Sequence, residues 1–572
     1  MKTLKYGIGV MALCLGLGNS QALWAQGDPS PTAEETKEYP FVLKPELPLD
    51  VNTHELGEIL GKKEVSEADI LKAHRLFTTL SWQAFIALNW PAKPNGQPDR
   101  KLTMADNTTW RVWDYWRSAG SIFLKDGARP EPWKDKRYAS EKLRNFANMP
   151  HSGGNTAARD NFEAFTGPLV DQYGKWARFE IRVNQPEFDY IYKNELYNQD
   201  GQVAFSQRSK NNDVDLPING GGKHGSIEIK LAWKELNAQD DASRFYTTDL
   251  TVTPSEPDSK QKTIKVGLVG MHISMRTKSS PEWIWSTFEQ IDNVRSNPEG
   301  NGKMSKPSFV DPAYTGTDFN VEPPKNAKID SSGKLVPATG TDATTWIESL
   351  TTTPVQVKRI DVPTKPLLNP LDAKLDDVAK ALNAEVQAAL KSQNSVFQYY
   401  ELIDTQWPLH PNAQAYSGGA GSAPESLRFK TPGEMIPTFL INTTMETYFQ
   451  RGDQPAGGSE QDNRLNIPEE LLSDKGKALQ NEFGGNAFTD VTRVFATESC
   501  VGCHYSSGIS IGFKKNPDGS EMLNDGYPTA VFGENNHFGK TGGANFSWML
   551  QLEAQPVPRP SHTPTPDAPT AN

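Results

Sequence analysis

Cys500, Cys503 and His504 stand together in the pentapeptide CVGCH. Two thiols three residues apart lie along one helical turn, where both reach the vinyl groups of a haem, and the imidazole that follows then faces the iron. The pattern is an attachment signal for one covalent c-type haem. Cys500 and Cys503 would carry the thioethers and His504 would be the proximal iron ligand. A redox disulfide needs no histidine after its CxxC and opens a helix in a βαβ unit, for which the neighbouring sequence shows no pattern. Structural zinc needs about four Cys or His ligands, and the one remaining cysteine, Cys14, belongs to the amino-terminal leader.

That leader reads MKTLKYGIGVMALCLGLGNSQALWAQG. Lys2 and Lys5 precede an apolar run, and small residues offer cleavage after Ala22 or Ala25, the pattern of a secretory signal peptide. The run is shorter than the roughly 18 residues that span a bilayer, so no transmembrane anchor is expected once the signal is removed. Haem attachment requires export, and the leader supplies it independently; a periplasmic or secreted location follows. Removing residues 1–25 leaves 57 Lys and Arg against 70 Asp and Glu, a mature charge of 57 − 70 = −13. A surface of that sign does not favour nucleic acid or an anionic membrane and suits a basic protein. Oligomeric state is not legible.

The second face of the iron decides between carrier and enzyme, because a low-spin carrier adds Met or His there and a haem enzyme leaves it to substrate. Three residues after the motif are candidates: Met522 in the loop GSEMLNDGYP, His537 in ENNHFGK, and Met549 in NFSWMLQLE, whose helical spacing favours core packing. Upstream, Met271, His272 and Met445 reach the haem only if distant parts of the chain fold together; His272 reads first as a satisfied core histidine.

The elements that must position this motif alternate in kind. Ser66 followed by acidic residues opens a helix that runs from SEADIL to Pro91, with Ile70, Leu71, His74, Phe77, Leu80, Trp82 and Phe85 on its apolar side. Trp110, Trp113 and Trp116, three apart, predict a second helix face. KWARFEIRVN and GSIEIKLAW alternate as half-buried strands, with Arg178, Glu180 and Arg182, then Glu228 and Lys230, on their polar sides. TIKVGLVGMHISMRT is apolar throughout and predicts a central strand. PEWIWSTFEQIDNV, opened by Pro281, predicts a helix that packs Trp283, Ile284 and Phe288 on the sheet. Residues 297–362 predict a long surface excursion, and Leu375, Val378, Leu382, Val386 and Leu390 stripe a further helix. MIPTFLINTTMETYFQ and DVTRVFATE, with Val491, Val494 and Phe495, predict helices around the motif. The glycine run INGGGKHGS places His224 where a phosphate loop needs Ser or Thr, and reads as a turn.

These elements sum to an α+β chain: a mixed, largely antiparallel sheet body with helices, plus a mainly helical C-terminal c-type haem region. The expected divisions are a signal peptide (1–25), a proline-rich linker (26–55), the α+β body (56–400), the haem-binding region (401–554) and a disordered tail (555–572).

CVGCH, GLVGMHI, PEWIWSTFEQIDNV, LIDTQWP and NTTMETYFQ together resemble the large, exported, single-haem proteins of bacteria described as cytochrome c family proteins, in scattered blocks over about half the chain. The resemblance implies haem on Cys500, Cys503 and His504 and a bacterial exported location, and brings no assigned substrate. The leading expectation is electron transfer with a redox partner protein. A peroxidase- or oxygenase-like haem enzyme with an open distal site, and a haem-clamped binding or gas-sensing module, are the alternatives.

Overall fold

The computed structural model describes residues 41–63, 65–136, 167–208, 213–252, 260, 262–298, 303–331, 334–359, 371–408, 435–436, 440–450, 500, 504, 507–533 and 542–560. The leader, the glycine-rich loop after Pro408, the DVTRVFATE segment, Cys503 and His537 lie outside them.

The body is an antiparallel sheet of eight strands. Its main path runs β1 (Arg117–Ser118), β2 (Arg178–Val183), β3 (Ile227–Glu235), β5 (Lys262–Met275), β6 (Ile284–Gln290), β9 (Tyr400–Pro408) and β10 (Met435–Ile436), and β4 (Thr247–Val252) pairs with β5. The apolar stretch expected to be central is β5, held between β3 and β6.

Two helices of the expected kind cover one face. In α2 (Glu67–Leu88) Ser66 accepts from the Asp69 amide while Asp69 accepts from the Ser66 amide, a capping box. In α6 (Leu371–Ser392) Leu375, Leu382, Val386 and Leu390 are buried and Val378 is half-buried. Between helices and sheet, Phe85 stacks on Phe288 at 4.3 Å, and Trp82 meets Phe288 edge-on at 5.0 Å. The polar atoms trapped in this layer are paired: Trp82 Nε1 donates to Asn383 at 2.9 Å, and Trp407 Nε1 donates to His74 Nδ1 at 3.0 Å.

The other face is covered as well, and the structure differs from four of the sequence readings. Within the segment expected to be a helix, Ile284–Gln290 is strand β6: Trp285 and Thr287 lie on the second face while Ile284 and Phe288 join the helix layer, and with both faces buried the polar alternation that marks a strand is missing. The charged side of β2 lies inside on the helix-covered face, in register with Ile229 and Leu231: Arg182 is fully buried, donates to Glu180 at 3.1 Å and to the Trp116 carbonyl at 3.0 Å, and lies over the Trp113 ring. Of the tryptophan triplet only Trp113 lies in a short 3-10 turn (Val112–Tyr115); Trp113 and Trp116 are buried and Trp110 is exposed. The described part of MIPTFLINTTMETYFQ holds strand β10 and a 3-10 turn (Thr447–Gln450) in place of a helix.

A mainly helical C-terminal region is not supported. Among the described residues it carries the pairs β11 (Ser510–Phe513) with β14 (Ala530–Phe532) and β12 (Leu523–Asn524) with β13 (Tyr527–Pro528), and one five-residue helix, Trp548–Leu552. Residues 303–359 contribute the small hairpin β7 (Ala327–Ile329) and β8 (Leu335–Pro337) and send Phe309, Trp346, Val355 and Val357 into the core. Of the expected tail, the Val557 amide donates to Asp200 and Arg559 pairs with Asp200 and Glu521. No helix among the described residues is long and apolar enough to cross a membrane.

Two consequences are measurable. Phe288→Ala empties the centre of the helix-facing core and is expected to lower stability by about 3–5 kcal/mol, read from urea unfolding midpoints. Asp292 is buried, which opposes its charge, but hydrogen bonds from Arg244 (2.6 and 2.8 Å), Ser305, Gln290 and Asn297 outweigh burial and hold its carboxyl below the ordinary range. A carboxyl whose folded pKa lies below its unfolded value of 3.8 contributes stability above that value and loses it as pH falls through the folded pKa. Asp292→Asn should therefore flatten the acid limb of stability against pH; an unchanged slope would refute this.

Candidate haem-attachment site

Cys500 and His504 are both helical, and their four-residue spacing sets them on one side of a turn. Cys500 packs against the second-face core, and its Sγ lies 3.7 Å from the Leu440 carbonyl. The His504 ring packs on Trp285 of β6, centroid to centroid 4.6 Å at 53°. The fold therefore joins the motif to a strand more than two hundred residues earlier.

The His504 hydrogen bond fixes its chemistry. Nδ1 lies 2.7 Å from the Phe546 carbonyl oxygen, which can only accept, so Nδ1 carries the proton and Nε2 the lone pair. His504 is half-buried by surface area, yet desolvation of its ring pushes the pKa down to about 4; the Phe546 carbonyl opposes this, and the charges of Lys230 and His272 assist it. A neutral imidazole anchored at Nδ1 and basic at Nε2 is the form that binds iron. The residues present fit a c-type haem in this respect, and Cys503 lies outside the described residues.

The acceptor is held by unusual backbone. Asn545 (φ +52°) and Phe546 (φ +71°) are consecutive left-handed residues, and Trp283, also left-handed at φ +70°, donates from Nε1 to the Asn545 carbonyl at 3.0 Å. For bulky aromatics this region is a true outlier. Each such residue costs about 1–3 kcal/mol and persists where surrounding structure over-determines it.

Beside His504 runs a polar row across three strands: Lys230 on β3 pairs in register with His272 on β5, and His272 with Thr287 on β6. His272 Nε2 is 2.8 Å from Glu446 Oε1, and its Nδ1 meets the Thr287 hydroxyl. With both nitrogens engaged, His272 is a satisfied histidine. Burial opposes the charge of Glu446, but His272, Lys230 and the Asn442 amide hold its carboxyl below the usual range. The segment carrying Glu446 lies directly on Gly270, where an added Cβ would stand 2.5 Å from Thr444 Oγ1.

Of the downstream ligand candidates, Met549 is buried in the core layer that also receives Cys500, in the short helix that follows Phe546. Met522 is 41% exposed on the hairpin around β12 and β13. His537 lies outside the described residues, and Met445 belongs to a neighbouring part of the core. Trp285, Lys230 and Glu446 stood in segments singled out by pattern, but no local signal ties them to His504, and a backbone carbonyl such as Phe546's leaves no trace in residue type.

Asn545 tolerates its left-handed backbone better than alanine would. Asn545→Ala and Asn545→Gly both lose the amide oxygen that accepts from the Leu216 amide at 3.2 Å, so their difference isolates the strain. Alanine should be less stable than glycine by about 1–2 kcal/mol in urea unfolding, and equal midpoints would contradict the strain. No protein-family model, no curated protein and no solved structure matches this chain.

Proposed function

We propose that this chain is an exported c-type cytochrome that holds one covalent haem through Cys500 and Cys503, with His504 on the iron, and exchanges electrons with a redox partner protein. The observation that carries the reading is the Nδ1–H bond from His504 to the Phe546 carbonyl, which leaves Nε2 as a neutral ligand beside Trp285. The haem would supply a one-electron ferric/ferrous couple. The chain's own part is orientation: Phe546 sets the imidazole tautomer, Trp285 supports the ring, and the half-buried Cys500 lies four residues before it. The acidic surface favours a basic partner, and the leader favours the periplasm or the exterior as its place of work.

Met549, three residues after Phe546, is buried in the core layer against which Cys500 packs. That weakens it as an opposite ligand. A second reading, a haem enzyme with an open distal side, draws on the row Lys230, His272 and Thr287 with Glu446, because titratable groups near the iron ligand could handle protons. A haem-clamped sensing module gains no separate support.

Absorption spectra of the purified, exported protein test these readings together. A covalent haem spectrum is expected, lost in Cys500→Ser and Cys503→Ser, with protein mass falling by one haem. A carrier gives a low-spin reduced spectrum unchanged by carbon monoxide, whereas rapid carbon monoxide binding with peroxide turnover would move the reading to the enzyme. Absence of covalent haem would overturn both.

A further inference from the structure

Glu187 is the most isolated acid among the described residues. It opens α4 (Gln185–Lys193), is fully buried, and neither carboxyl oxygen has a hydrogen-bond partner. Its position is tightly set. Asn184, the helix cap, accepts from the Glu187 amide at 3.3 Å and from the Ile227 amide at 3.1 Å, which pins the start of α4 over the start of β3. The next residue on β3 is Glu228, whose charge acts on the Glu187 carboxyl.

Glu228 connects this pair to the iron ligand. Ser547 donates to Glu228 Oε2 at 2.9 Å, and the residue before Ser547 is Phe546, whose carbonyl accepts from His504. Of the groups packed nearby, β5 offers Ser274, in register with Glu228, and the C-terminal segment offers Ser547. Arg117, from β1, lies over the neighbouring Phe188 ring and bonds to Ser121 and the Glu131 carbonyl. Lys230 is two positions further along β3, with His272, Glu446 and His504 beyond it. On α4 itself Asp189 and Tyr190 follow. No cation among these is hydrogen-bonded to Glu187.

An unpaired carboxylate with no water and no donor is far more costly than a carboxylic acid. Burial first, and then the charge of Glu228, push the Glu187 carboxyl well above the ordinary range. We propose that Glu187 and Glu228 form a buried proton-binding site that takes up one proton when the haem is reduced and releases it on oxidation. The proposal rests on the haem reading above. The balance is simple: one electron from the reductant turns ferric haem ferrous, and one proton from bulk water makes an O–H bond on the carboxyl pair. Removing one positive charge from the iron site makes a nearby anion less favourable, so proton affinity rises on reduction. Glu228 is half-buried and gives the proton its way in from solvent.

The haem-loaded protein is titrated with dithionite in a spectroelectrochemical cell over a range of pH, as wild type, Glu187→Gln and Glu228→Gln, and infrared redox-difference spectra are recorded on the same samples. In the wild type the midpoint potential should fall as pH rises through a window above the ordinary glutamate range, and a protonated-carboxyl band should change with oxidation state. Glu187→Gln should flatten the slope in that window and abolish the band. If that variant fails to fold, Glu228→Gln, which leaves Glu187 without that neighbouring charge, should move the window towards lower pH. A wild-type potential independent of pH, or a slope and band that survive Glu187→Gln, overturns the proposal while the haem spectrum stands. A protein without haem absorbance overturns the haem reading, and this proposal with it.

Discussion

The second face of the sheet sets the terms for everything attached to it. Helices α2 and α6 bury the first face, and on the other β5 and β6 present Val269 and Trp285 among the polar Ser274, Thr287 and Glu289, all of them buried. The chain covers it with pieces from far apart in sequence: α4, residues 303–359, residues 440–450, and the C-terminal stretch that carries His504. Covering that face is what brings Trp285 against His504. It also traps polar residues that a one-sided sheet would have left in solvent. Their pairing follows from the cost of an unsatisfied polar group in a low-dielectric interior. His272 finds Glu446 and Thr287, Lys234 finds Asp240 and Asp171, and on the helix-covered face Arg182 likewise finds Glu180 and two carbonyls.

Glu187 breaks that rule. Every other charge discussed on the covered faces has a donor or acceptor beside it, whereas Glu187 meets only a like-charged neighbour. A structure optimised for stability alone would place an apolar residue there. Its nearness to the Ser547–Phe546 link gives the exception a chemical use.

Strain is concentrated in the same place. Trp283, Asn545 and Phe546 adopt left-handed backbone within one hydrogen-bonded cluster, and the Phe546 carbonyl points at His504 because of it. The surrounding packing is rigid enough to hold the arrangement: Gln202 donates to the Leu550 carbonyl and accepts from the Ser510 amide, and Asp213 accepts from the amides of Gly542 and Gly543. A histidine whose tautomer is set by fixed backbone keeps the same nitrogen facing the ligand position through changes elsewhere.

Elements whose signal is local were legible from sequence. The 3.6-residue stripe and Ser66 cap marked α2, the leucine and valine stripe marked α6, and alternation marked β2 and β3. The proposed attachment motif can be read the same way, since CVGCH is complete within five residues. Segment 281–290 was not legible, because Trp283, Ile284 and Phe288 satisfy a helical spacing, and only burial of both faces identifies the strand. Arg182 looked solvent-facing for the same cause: sequence shows which side of a strand is charged but not whether another layer lies over it. Residue types by themselves determined an α+β body with a largely antiparallel sheet, and they supply the CVGCH motif on which the haem proposal rests. The partners of His504 were decided by tertiary structure alone, because a ring on Trp285 and a bond to a backbone carbonyl depend on contacts between segments that share no sequence pattern.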